Sequence, residues 1–84
     1  MSTALHEPIQ AGVVFQRGAV RPVWFVRQGR RYEVRDVTMR WTTREGRATL
    51  LHFAVTDRAN TFELAFNQET LAWHLEAVEP EEGA

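Results

Sequence analysis

The chain contains no cysteine and no lysine, and its single serine is Ser2. These absences remove a disulfide framework, a thiolate nucleophile, a cysteine-based zinc site and a Schiff-base amine together. No apolar run approaches the roughly 20 residues needed to span a bilayer. The start, MSTALHEPIQ, has neither the basic opening nor the apolar stretch of a secretion signal, so a cytoplasmic protein without a membrane partner is expected. There is no glycine-rich phosphate loop either: the glycines fall at turns, in the first strand at Gly12, or in the tail at Gly83. No cofactor is expected. General acid or base chemistry would fall to His52, His74 or a carboxylate, and none of these sits in a recognisable motif, so an enzyme is not expected.

What the chain does have is one core's worth of sequence. Its 84 residues are 44% apolar and 11% aromatic, which places them among globular chains and fits a single domain over residues 9–78. Residues 1–8 read as a flexible arm and 79–84 as an acidic tail. The charge is unevenly spread. From Arg17 to Arg47 nine arginines face three carboxylates, whereas from Asp57 to Ala84 one arginine faces seven, so a net charge of −1 conceals a strongly dipolar chain.

The apolar residues alternate, in segments rich in Val, Phe, Thr and Trp that are separated by turn residues. Six antiparallel strands in an all-β meander fit this pattern. A turn at Gln28 and Gly29 sets Phe25 opposite Tyr32 and Val23 opposite Val34. A three-residue loop, Arg44 to Gly46, would set Met39 opposite Leu51 and Val37 opposite Phe53. A four-residue loop, Asp57 to Asn60, sets Val55 opposite Phe62, Phe53 opposite Leu64 and Leu51 opposite Phe66. Another, Asn67 to Thr70, would pair Phe66 with Leu71, Leu64 with Trp73 and Phe62 with Leu75. Successive hairpins thus agree on one buried face, and a slip of one residue would expose the whole set. Between Val34 and Val37 the apolar parity changes, which calls for a β-bulge near Arg35 and Asp36. The bent sheet can then fold over itself as a small half-open barrel. The first strand, about Ile9 to Phe15, has no tight turn to fix its register.

Three surfaces could carry chemistry. A metal set of His74, Glu76 and Glu63 is conceivable on the non-core face, where Glu63 is expected opposite His74, but two-residue spacing on an exposed strand describes solvated cross-strand charge pairs better, so no metal site is expected. Arg27, Arg30 and Arg31 surround the first turn and Arg44 and Arg47 the second, with Trp24 on the outer face of the first hairpin. Arginine beside an exposed aromatic can neutralise phosphates and stack on a base; the bland alternative is that arginines keep strand edges from aggregating. Finally, Leu50, His52, Ala54, Ala65 and Ala72 form a smooth outer face that a second copy or another protein could cover.

The stretch from Pro22 to Tyr32 (PVWFVRQGRRY), then Val34, Val37 and Trp41, followed by Phe62-Glu63-Leu64 and Trp73-His74-Leu75, resembles a family of small bacterial domains of unknown function. The resemblance covers roughly residues 21–79, with Leu50, Leu51 and His52 where that pattern is richer in tryptophan. Some members occur beside Y-family polymerase-like proteins, which implies an accessory role near DNA. Taken together, the expectation is a non-catalytic binding or accessory domain whose arginine-rich hairpins meet nucleic acid or an acidic protein. A protein-interaction or homodimer module built on the Leu50 face is the alternative. The acidic tail is expected to compete for the arginines.

Overall fold

A computed structural model describes residues 3–80. It contains seven strands: β1 (Thr3–Gln16), β2 (Ala19–Arg27), β3 (Arg30–Glu33), β4 (Asp36–Glu45), β5 (Ala48–Thr56), β6 (Asn60–Asn67) and β7 (Trp73–Pro80). All lie in one antiparallel sheet in the order β3-β2-β1-β7-β6-β5-β4. The all-β antiparallel architecture is therefore as the sequence implies. β1 begins at Thr3 and pairs with β7 from Thr3 onward, so residues 3–8 of the segment expected as an arm belong to the sheet, and its first two residues lie outside the described residues. Glu79 and Pro80 end β7, and the remainder of the acidic tail lies outside the described residues.

The strand count differs from six because the third expected strand is divided. Val34 donates its N–H to the Val23 carbonyl on β2 at 3.0 Å, and the next residue, Arg35, donates to the Thr56 carbonyl on β5 at 2.8 Å. Consecutive residues thus bond to strands far apart in the sheet order, and this is where the sheet curls. The expected parity change, between the core-packed Val34 and Val37, falls at this break near Arg35 and Asp36, and a further register shift between Val37 and Met39, which leaves Thr38 unpaired, reverses it and turns Arg40 inward.

Curling brings non-neighbouring strands together. Phe25 of β2 meets Phe62 of β6 edge to face, with ring centroids 5.0 Å apart, and Tyr32 of β3 meets the same ring at 5.2 Å. Around them Phe53, Val55, Leu64, Phe66, Trp73 and Leu75 form the buried core. Each fully buried side chain of this size contributes about 1.5–3 kcal/mol over exposure. Among the described residues the sheet is not closed: β4 has only β5 beside it, and β2 is paired with β3 only from Trp24 to Arg27.

The registers repeat the expectation in part. Phe25 lies opposite Tyr32, and Val55, Phe53 and Leu51 lie opposite Phe62, Leu64 and Phe66. The β4–β5 hairpin does not follow it. Its turn holds two residues, Gly46 and Arg47, with Gly46 at positive φ, so Met39 faces Ala54 and Trp41 faces His52. Met39 is consequently exposed and Arg40 takes the inward parity beside Phe53. The β6–β7 connection is longer than expected, and Phe66 pairs with Trp73, Leu64 with Leu75 and Phe62 with Val78. Leu71, expected in the core, instead sits in the turn with φ 65° and is exposed.

Candidate functional site

Adjacent strands are antiparallel throughout, so the β2–β3 turn and the β4–β5 turn fall at opposite ends of the sheet. Arg27, Arg30 and Arg31 are therefore separated from Arg44 and Arg47. In the first hairpin most of the positive charge is already engaged. Arg27 donates through Nε to both carboxylate oxygens of Glu7, at 3.0 and 3.3 Å. That hydrogen bond raises the guanidinium pKa above its ordinary value against the opposing effect of burial, and the charge of Glu7 adds to the rise. Arg31 donates to Glu33 at 2.6 Å, and Arg30 lies over the Tyr32 ring.

Trp24 occupies the outer face, as expected, but it is not a free platform. The Arg31 guanidinium stacks 4.6 Å from its ring, and the backbone of Gly12 passes so close that a β-carbon there would overlap the indole. β1, whose position the sequence left undetermined, thus runs beneath Trp24.

The open seam between β4 and the Ala19–Pro22 part of β2 gathers different arginines. Arg40 reaches across it: its Nη1 donates to the Val20 carbonyl at 2.8 Å while its guanidinium lies 5.3 Å from the centre of the Phe53 ring. On one side of Arg40 is a groove of about 350 Å³ whose lining includes Arg17 and Arg21 with Val14, Gln16 and Ala19. On the other is a cavity of about 320 Å³ bounded by Val20, Trp41, Leu51, Phe53 and Gln68. Ala19 and Arg40 line both. Arg17, Arg21 and Arg40 are exposed and form no ion pair among the described residues. Arginines grouped by turn along the sequence do not include this set. The one signal for it was Arg40 itself, standing between Met39 and Trp41 at a parity the pattern had reserved for solvent.

The outer face of β4–β7 differs from the expected smooth patch. Leu50, His52, Ala54 and Ala65 do share it, but Ala72 lies outside any strand and accepts from the Asn67 N–H at 2.9 Å. His52 and Ala65 are buried. The Trp41 indole stacks on His52 with centroids 5.1 Å apart and planes 9° from parallel, so the middle of the patch is already covered.

His74 faces Ala65, while Glu63 faces Ala77 across a register shift, so Glu63 and His74 are not cross-strand partners. Glu76 instead meets His6 at 2.7 Å, and His6 stacks on His74 with centroids 4.3 Å apart. Glu63 lies 3.4 Å from His52 Nδ1. Among the described residues no group of three or more His, Asp or Glu is arranged to hold a metal ion, so the conceivable set of His74, Glu76 and Glu63 is not assembled. No helix among them is long and apolar enough to cross a membrane.

No family model, no curated protein and no solved structure matches the chain.

Proposed function

We propose that this domain is a non-catalytic binding module for an anionic partner, received at the open seam by Arg17, Arg21 and Arg40. The observation that carries this reading is the contrast between two arginine groups. Arg27 and Arg31 of the first hairpin are paired with Glu7 and Glu33, whereas Arg17, Arg21 and Arg40 converge on one groove without an ion pair among the described residues, Arg40 being held there by the Val20 carbonyl and the Phe53 ring. Desolvating three like charges side by side costs energy that only a counter-charge returns, so the groove favours anions over neutral ligands. We read the curled sheet as a half-open barrel whose missing contact is this seam. The resemblance to domains found beside polymerase-like proteins agrees with an anionic partner but does not choose among anions.

The test is fluorescence anisotropy with labelled single- and double-stranded oligonucleotides and a carboxylate-rich peptide, at low and physiological salt. Binding that weakens with salt, is lost on Arg17, Arg21 and Arg40→Ala and survives Arg27, Arg30 and Arg31→Ala is expected. Absence of binding to every polyanion at low salt would overturn the reading.

A further inference from the structure

We propose that the anion received at the seam is an extended acidic peptide, added as a further strand to the free edge of β4. This rests on the anion-binding reading above and specifies its partner.

The backbone of β4 is built for such an addition. A two-residue turn closes with a hydrogen bond between the residues flanking it, here Glu45 and Ala48, so their pair is of the bonded kind. Bonded and unbonded pairs alternate along an antiparallel ladder. Thr43 and Trp41 therefore bond to β5, while Arg44, Thr42 and Arg40 turn their N–H and C=O groups to the free side. That side meets no strand among the described residues. The edge is ten residues long, about twice the mean strand, and a guest strand can form a ladder along it.

The opposing edge of the seam is closed to the same use. The Val20 carbonyl is occupied by Arg40, and two residues on, Pro22 points the same way with no N–H to give. A guest therefore pairs with β4 alone. Its side chains meet Arg40 and Arg44 from the edge itself and Arg17 and Arg21 from across the groove. Such a rim repels basic strands, gives nothing to neutral ones, and admits a strand carrying carboxylates at alternate positions.

Nucleic acid fits less well because single strands are held by open aromatic faces as well as by charge. Trp24 is covered by Gly12 and Arg31, Tyr32 stacks on Phe25 with Arg30 over it, and Trp41, one face of which stacks on His52, lines the cavity beside Arg40 but not the groove that holds Arg17 and Arg21. Phe15, the one broadly exposed aromatic among the described residues, lines neither groove.

The experiment uses the full chain and a labelled decapeptide alternating Glu and Val, the same peptide with alternate backbone amides N-methylated, and a single-stranded oligonucleotide. Anisotropy is read alongside amide hydrogen exchange, with Thr42→Pro as a variant that removes one edge N–H without touching the β5 ladder; circular dichroism confirms its fold. The Glu/Val peptide should slow exchange at Arg40, Thr42 and Arg44. Thr42→Pro should weaken it about tenfold, as the loss of a backbone hydrogen bond predicts, and N-methylation, which removes several such bonds, should weaken it further. Equal binding of the methylated peptide, or unchanged exchange at these amides, would overturn strand addition while leaving anion binding standing. Oligonucleotide binding through Arg17, Arg21 and Arg40 without peptide binding would also overturn it and make nucleic acid the partner. Self-association that protects the same amides in the free protein would assign the edge to a second copy instead. Failure of every anion would overturn both readings together.

Discussion

The indole of Trp24 rests on the backbone of Gly12, on the neighbouring strand, with no room for a β-carbon between them. The ring atoms nearest that position belong to the rigid indole, which is held from the other side by Arg31, so it cannot swing aside cheaply. Gly12→Ala should destabilise the fold by about 1–3 kcal/mol, the usual cost of overpacking. Urea denaturation checks this. Combining it with Trp24→Leu should return most of the loss; a double variant no better than the single one would place the strain in the β1 backbone.

Arg27 and Glu7 tie β2 to β1 at a site where their side chains are 24% and 27% exposed, so a coupling of about 0.5–1 kcal/mol is expected from a double-mutant cycle of Arg27→Ala and Glu7→Gln. The raised pKa of Arg27 fixes the sign of its pH dependence. A base whose folded pKa exceeds the unfolded one contributes fully below the unfolded value, and loses that contribution only as pH climbs through the folded value. For arginine both lie beyond the range in which proteins are handled. The coupling should stay level between pH 6 and 10 and shrink with added salt. A cycle that loses its coupling by pH 10 would contradict this assignment.

How much of this was legible in the sequence depends on what each strand faces. β5 and β6 are covered on both edges, their inward residues are uniformly apolar, and the loop between them is closed by Asp57, whose Oδ1 accepts from the Ala59 and Asn60 N–H groups. Alternation alone fixes that register. β4 is an edge strand whose inner face opens on the seam. There Arg40 and Thr42 take inward positions because they reach solvent, and Met39 can stand outside. A pattern that assigns apolar residues inward is bound to misplace this strand, and the misplaced arginine is the one that bridges the candidate site. Arg17 and Arg21 gave no local signal, because their proximity to Arg40 arises only when the sheet curls. The β6–β7 loop failed differently: Leu71 looks like a core residue in the sequence, yet two further turn residues are consumed before β7 begins.

Leu71 is held at φ 65° with 69% of its surface exposed, so it carries a backbone penalty without a compensating burial. Asparagine tolerates this conformation and keeps more unfolded-state restriction than glycine. Leu71→Asn should raise stability by about 0.5–1 kcal/mol. The Leu71 N–H bond to the Asn67 carbonyl, 2.7 Å long, should persist as slowed amide exchange. A lower melting temperature would show that Leu71 earns its place through contacts in solution.

Trp41 and His52 decide between a covered face and a docking face. His52 is buried at 8% exposure, with Nε2 2.7 Å from Thr43 Oγ1 and Nδ1 3.4 Å from Glu63 without a hydrogen bond. The arrangement is most favourable when the Thr43 hydroxyl donates to Nε2, leaving the Nδ1 proton on the Glu63 side but out of line for a hydrogen bond. The Trp41 ring covers the His52 imidazole, while a cavity of about 200 Å³ stays open between Trp41, Ala54 and Glu63. If the indole is a lid, Trp41→Ala should cost about 1–3 kcal/mol from lost burial and stacking. It should also uncover His52, Ala54 and Ala65 as an apolar patch, so the variant should self-associate more than the parent in sedimentation at rising concentration. Trp41→Phe retains a stacking ring and should change both readings little. The opposite pattern, a parent that dimerises and a Trp41→Ala variant that does not, would make Trp41 the anchor of an interface and return the Leu50, His52, Ala54 and Ala65 face to service as a contact surface.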